Sequence, residues 1–135
     1  MVPCAHGDDR DRQIRCILVR MILDIRALFV ARKRPTEETL VQLAIQLGEY
    51  EDKPVNASEI SHIIKIPRTS VIRHVDALVA QGRVRVEKDG RRMIIRPPEI
   101  DFPETKLFYR EAERTVARVC SELSKMDTLA ARHKE

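Results

Sequence analysis

The sequence predicts a mainly α-helical chain with one small antiparallel β-hairpin. Three observations predict it. Apolar residues recur at helical spacing through most of the chain, the period drops to two only after Gly82, and Asp89-Gly90 supplies a turn between two short runs. At 135 residues, 43% hydrophobic and 34% charged, there is room for one packed domain with terminal helices added for assembly. That composition excludes the disordered class, and the length excludes most two-domain enzymes.

Asp9 to Pro35 reads as one long helix, closed by a proline that cannot continue the backbone hydrogen-bond ladder. Within it Ile14, Leu18, Met21, Ile25 and Leu28 form one apolar stripe, and Cys16, Val19, Leu23, Ala27 and Val30 form a second. A helix with two stripes is covered on two sides, one by its own chain and the other by a partner subunit. Arg15, Arg20, Asp24 and Arg26 interrupt its apolar run, so no membrane span is expected. The first twelve residues carry Asp8, Asp9 and Asp11 and lack the apolar stretch of an export signal. Cys4, Cys16 and Cys120 are too widely spaced for a disulfide framework or paired metal ligands, which fits a reducing cytoplasm.

Thr36 before Glu37 and Glu38 starts a second helix, the hydroxyl capping free amides and the acids facing the positive end of the dipole. It runs to about Tyr50 and buries Leu40, Leu43, Ala44 and Leu47. Asn56 with Glu59 has the form of a capping box and opens a short helix carrying Ile60, Ile63 and Ile64 inward, ended by Pro67. From Arg68 to about Gln81 the inward face is Val71, Val75, Leu78 and Val79, and Gly82 stops the helix. Val84 and Val86 then alternate with Arg85 and Glu87 as in a half-exposed strand, the outgoing arm of a hairpin whose return is Arg92 to Arg96. A short strand at Pro54-Val55 is expected to join it. From Pro103 onward Phe108, Ala112, Val116, Val119, Leu123, Met126 and Ala130 form a narrow seam suited to pairing with another helix.

Charge is concentrated in the middle of the chain. Between Pro54 and Pro97 there are nine Lys or Arg against four acids, while the rest carries 16 against 17, although the whole chain is only +4. A basic segment coinciding with two short helices and a hairpin points to a polyanionic partner.

The stretch from Val55 through Ile66-Pro67-Arg68-Thr69-Ser70-Val71-Ile72-Arg73-His74 to Gly82-Arg83-Val84 resembles a helix-turn-helix, and the hairpin after it resembles the wing of winged-helix proteins. With long helices before and after, the whole is similar to MarR-type bacterial transcription regulators; Asp89-Gly90-Arg91 at the wing tip matches an Asp-x-Arg arrangement of their wings. The resemblance implies a winged helix-turn-helix with long N- and C-terminal dimerisation helices. Its parts would be an arm and dimerisation helix over 1–35, a DNA-binding lobe over 36–97 and a dimerisation helix over 98–135. It further implies a homodimer that binds double-stranded DNA and has room for a small-molecule effector, with Arg91 entering the minor groove. The short wing and Pro97-Pro98-Glu99-Ile100 depart from the family pattern.

With the inward face assigned as above, Arg68, Thr69, Ile72 and Arg73 point outward, with Asp76 at the edge of that face. Arg68 and Arg73 suit guanine, Ile72 suits a thymine methyl group, and Ser58, Thr69 and Ser70 suit phosphate oxygens. His74, Lys88 and Arg92 complete the candidate DNA-binding set. The bland reading of an arginine-rich helix is a solvated face, and Thr69 and Ser70 would then be simple caps. A winged helix that binds protein rather than DNA is the main rival, and Ile72 is the residue that favours it. Catalysis is not expected: His6, His62, His74 and His133 lack the spacing of a metal site, and there is no glycine-rich phosphate loop. No cofactor is expected. Cys16 and Cys120 are expected to be buried and structural rather than oxidant sensors.

Overall fold

A computed structural model of the chain describes residues 9–134, with side chains through residue 128. Cys4 and His6 lie outside the described residues, as do the side chains of Ala130 and His133. The elements are α1 (Asp9–Ala31), α2 (Thr36–Tyr50), α3 (Ala57–Ile64), α4 (Arg68–Ala80), the antiparallel strands β1 (Arg85–Asp89) and β2 (Arg92–Arg96), and α5 (Pro103–Lys134). They fall into two compact units, Lys33–Asp101 with α2 to β2, and a second containing α1 and α5.

In the first unit Val41, Ala44 and Ile45 of α2, Ile60 of α3, and Val71, Val75 and Leu78 of α4 form the core with Val55, Val84 and Ile95. The buried face of α2 is rotated from the one read in the sequence. Leu47 is exposed and Leu40 and Leu43 are half-buried, while Gln42, Gln46 and Gly48 face inward. Gly48 gives the reason: a Cβ there would stand 2.8 Å from the Lys53 carbonyl and 2.9 Å from Val55, so the segment after α2 packs directly on that glycine. Ile63 and Val79, expected inside, are also exposed, because Ile60 and Leu78 already fill the centre.

Helix ends follow local chemistry, with two corrections. α1 stops at Ala31 rather than at Pro35, and Lys33 adopts a left-handed conformation at φ 55°. Residues before a proline avoid the helical region, so the chain turns and Pro35 itself becomes the N-cap of α2. Thr36 consequently lies inside the first turn and makes no side-chain cap. The capping box of α3 forms as read, with Asn56 Oδ1 accepting from the Glu59 amide at 2.8 Å and Glu59 Oε1 from the Asn56 amide at 3.0 Å. α4 closes on Gly82 at φ +69°, whose amide donates to the Val79 carbonyl while that of Arg83 donates to Leu78, a Schellman ending.

Asp89 pairs with Arg92, so the two-residue turn is Gly90-Arg91, one position later than read, with positive φ on Gly90. Val84 is buried but Val86 is exposed, because only the root of the hairpin reaches the core. Val55 joins by a single bridge to Ile95, whose amide donates to the Val55 carbonyl at 2.8 Å. The small third strand therefore has one rung.

In the second unit α1 packs along α5. Phe29 and Phe108 meet at 5.7 Å between ring centroids, Arg32 lies 5.4 Å over the Phe108 ring, and Arg118 donates to Asp24 at 2.6 Å. The face of α5 differs by one position from the expected seam: Thr115 is buried and Val116 exposed. Thr115 satisfies its hydroxyl on the Glu111 carbonyl at 3.1 Å, which lets a polar residue occupy the seam. Cys16 and Cys120 are both exposed on the chain, overturning the expectation of buried cysteines. Cys16 lies on the stripe of α1 that α5 does not cover, and Cys120 points away from buried Val119.

Candidate nucleic-acid interface

Burial of Val71, Val75 and Leu78 fixes the rotation of α4, and 100° per residue then turns Arg68, Thr69, Ile72, Arg73 and Asp76 outward. All five are exposed, Ile72 at 36%. The hairpin follows within a few residues of the end of α4. Between the two lies a groove of about 450 Å³.

Five of the expected residues line that one groove: Ser58, Arg68, Ile72, Arg91 and Arg92. Its cations come from two elements, its hydroxyl from the first turn of α3, and its apolar floor from Ile72, Val86 and Met93. Thr69, Ser70, Arg73 and Lys88 lie outside the groove lining, with Ser70 half-buried and the others exposed. Sequence reasoning missed Asn56 and Met93 as lining residues. Asn56 was legible only as a cap, and Met93 could be placed only once the hairpin register was known.

Several polar side chains already have partners within this unit. Arg68 Nε donates to Ser58 Oγ at 3.2 Å, tying the start of α4 to the start of α3. Arg92 pairs with Glu59. His74, expected in the DNA-binding set, lies outside the groove lining: its Nε2 stands 3.1 Å from Glu37 Oε2 and its side chain is largely covered. At the root of the hairpin Arg96 grips Glu49 through two bonds of 2.6 and 3.0 Å. The Arg96 hydrogen bond holds the Glu49 carboxyl below its ordinary pKa, against a smaller opposing effect of burial, with the charges of Arg96 and Arg85 adding to the lowering. Glu49 in turn raises the Arg96 pKa, first through that hydrogen bond.

Among the described residues no group of three His, Cys, Asp or Glu side chains could hold a metal ion, and no helix is long and apolar enough to cross a membrane.

The fold is similar to that of solved structures. CouR from Rhodococcus jostii RHA1, solved bound to p-coumaroyl-CoA, superposes with a TM-score of 0.50 at 16% identity, covering 98% of this chain and 91% of that one. The chain has a MarR-type fold. A MarR-family transcriptional regulator from Rhodococcus sp. RHA1 superposes with a TM-score of 0.48 at 17% identity over the same shares. No protein-family model matches the sequence, and no curated protein is significantly similar to it. In this winged-helix fold α4 is the second helix of the helix-turn-helix and β1-β2 the hairpin that follows it.

Proposed function

We propose that the protein is a sequence-selective, double-stranded DNA-binding transcription regulator acting as a homodimer. The observation that carries the reading is the groove itself. One surface gathers Arg68 and Ile72 from α4, Arg91 and Arg92 from the wing, and the Ser58 hydroxyl. α4 enters the major groove, where Arg73 reads guanine and Ile72 meets a thymine methyl group. Arg73, exposed and outside the groove lining, suits base readout best, whereas Arg68 is directed toward Ser58 and suits a phosphate. Lys88 and Arg91 serve the backbone or the minor groove, and Thr69 and Ser70 position the helix on phosphate oxygens.

The homodimer reading rests on α1. That helix has no buried residue, and Ile22 and Leu23 are exposed at 60% and 62%. A second copy would cover this stripe, and the two recognition helices would then read half-sites about one helical turn, roughly 34 Å, apart. The likeness to CouR, whose structure holds p-coumaroyl-CoA, supports a small-molecule effector for this chain too.

Selection of duplexes from a random pool tests the reading. The expected result is a two-fold symmetric site whose binding weakens steeply with salt, because neutralised phosphates release counterions. Replacing Arg73 by Ala should cost about 1–3 kcal/mol and relax the preference at one position, whereas Arg91→Ala should weaken all sequences alike. A second reading, a protein-binding winged helix, draws on exposed Ile72, Val86 and Met93 in the groove. Absence of salt-sensitive duplex binding, together with a protein partner lost on Ile72→Glu, would decide for it.

A further inference from the structure

Arg92, Ile94 and Arg96 occupy alternate positions of β2 and so share one face of the strand. Ile94 is buried, and each flanking arginine is held by a glutamate from a different helix. At the root, both oxygens of Glu49 in the last turn of α2 accept from Arg96, through Nη2 at 2.6 Å and Nε at 3.0 Å. Glu87 extends this contact, standing 3.6 Å from Arg96 Nη1 and 2.8 Å from Arg85 Nη1. Arg85 Nε donates to the Pro97 carbonyl at 3.0 Å, closing the root. Toward the tip, Glu59 Oε1 accepts from Arg92 while also accepting the Asn56 amide of the capping box. The backbone cap thus fixes the carboxylate that receives Arg92.

A two-stranded ribbon is marginal by itself and takes its direction from what it rests on. We propose that Glu49 and Glu59 are positioning residues for DNA binding, which fasten the wing to α2 and α3 at two points and so set where Arg91 meets the duplex. The proposal rests on the regulator reading above. It moves Arg92 from the set of DNA-contacting residues to the brace of the wing, next to the two-residue turn that carries Arg91. Bidentate arginine-carboxylate geometry suits this task because it fixes orientation as well as distance.

The experiment uses the duplex recovered by the wild-type chain from a random pool, with hydroxyl-radical footprinting of the backbone, dimethyl-sulfate protection of guanine N7 and affinity measured on the same DNA. Glu59→Gln retains an oxygen for the Asn56 amide and so spares the capping box. The double variant E49Q/E59Q is expected to bind about tenfold more weakly, the effect of one lost arginine contact. Protection should disappear from the minor groove flanking each half-site, while guanine protection in the major groove persists. The reversed pair E49R/R96E should recover most of the affinity that E49R loses. A merely structural role would lower the thermal midpoint without separating the two footprints. An unchanged flanking footprint in E49Q/E59Q overturns the proposal, as does tighter binding, which would make the glutamates competitors of phosphate. Failure of the reversed pair to recover affinity overturns it for Glu49. A wild-type chain that protects no duplex removes the regulator reading, and the proposal with it; wild-type protection that survives in every variant removes the proposal alone.

Discussion

The unit of α2 to β2 and the helix α1 use their apolar residues to opposite ends. In the first, Val41, Ile60, Val71 and Leu78 are completely buried and drawn from three helices, so its core is closed by its own segments. In α1 the stripe of Val19, Leu23 and Val30 stays exposed although it recurs at helical spacing. An amphipathic period specifies that a face is to be covered and says nothing about which chain covers it. The contrast separates a folding core from the stripe proposed to meet a second copy.

The sharpest way to break the comparison is to charge the stripe of α1. Val19→Glu with Leu23→Glu removes two side chains worth about 1.5–3 kcal/mol each on full burial, in both copies of a dimer. Light scattering should show the mass fall from twice 15.6 kDa to 15.6 kDa with helical content largely retained. A wild-type chain already at the lower mass would remove the assembly surface from the argument. Leu78→Ala should act in the opposite manner, destabilising the α2 to β2 unit by about 2–5 kcal/mol in denaturant titration because Leu78 is completely buried. Equal losses from an α1 substitution in a monomeric state would erase the distinction.

Smaller effects sharpen it within the first unit. Asn56→Ala removes the cap of α3 and should cost about 1 kcal/mol, measured by the same titration, with Asn56→Ser recovering most of it. The smallest effect concerns acid. Because Arg96 depresses the folded-state pKa of Glu49, its contribution is complete at neutral pH, begins to fall near the ordinary value of 4.5, and is lost as pH drops through the lowered folded value. Glu49→Gln should therefore narrow its stability difference from wild type in that acid range, and a difference that persists below it would point to packing rather than charge.

Local chemistry was legible because its partners are close in sequence. Asn56 and Glu59 announced a helix start three residues apart, Gly82 its successor's end, and Gly90 a tight turn, each through backbone conformations or amides within a few residues. The rotation of each helix was legible only to about one position. Leu47 gave way to Gly48 and Val116 to Thr115, since a glycine allowing close approach and a threonine bonding its own backbone are invisible to a hydrophobic pattern.

The candidate site divides in the same way. The basic bias of the middle segment and the outward set Arg68, Thr69, Ile72 and Arg73 follow from order and period alone. That Arg92 meets Glu59 across 33 positions, and Arg96 meets Glu49 across 47, follows from neither. By itself the sequence determined the elements, their ends to within a few residues and where positive charge collects, because these depend on neighbours along the chain. Only the tertiary structure decided which arginines line the groove and which glutamates meet Arg92 and Arg96, because a guanidinium is committed by the carboxylate that folding brings beside it.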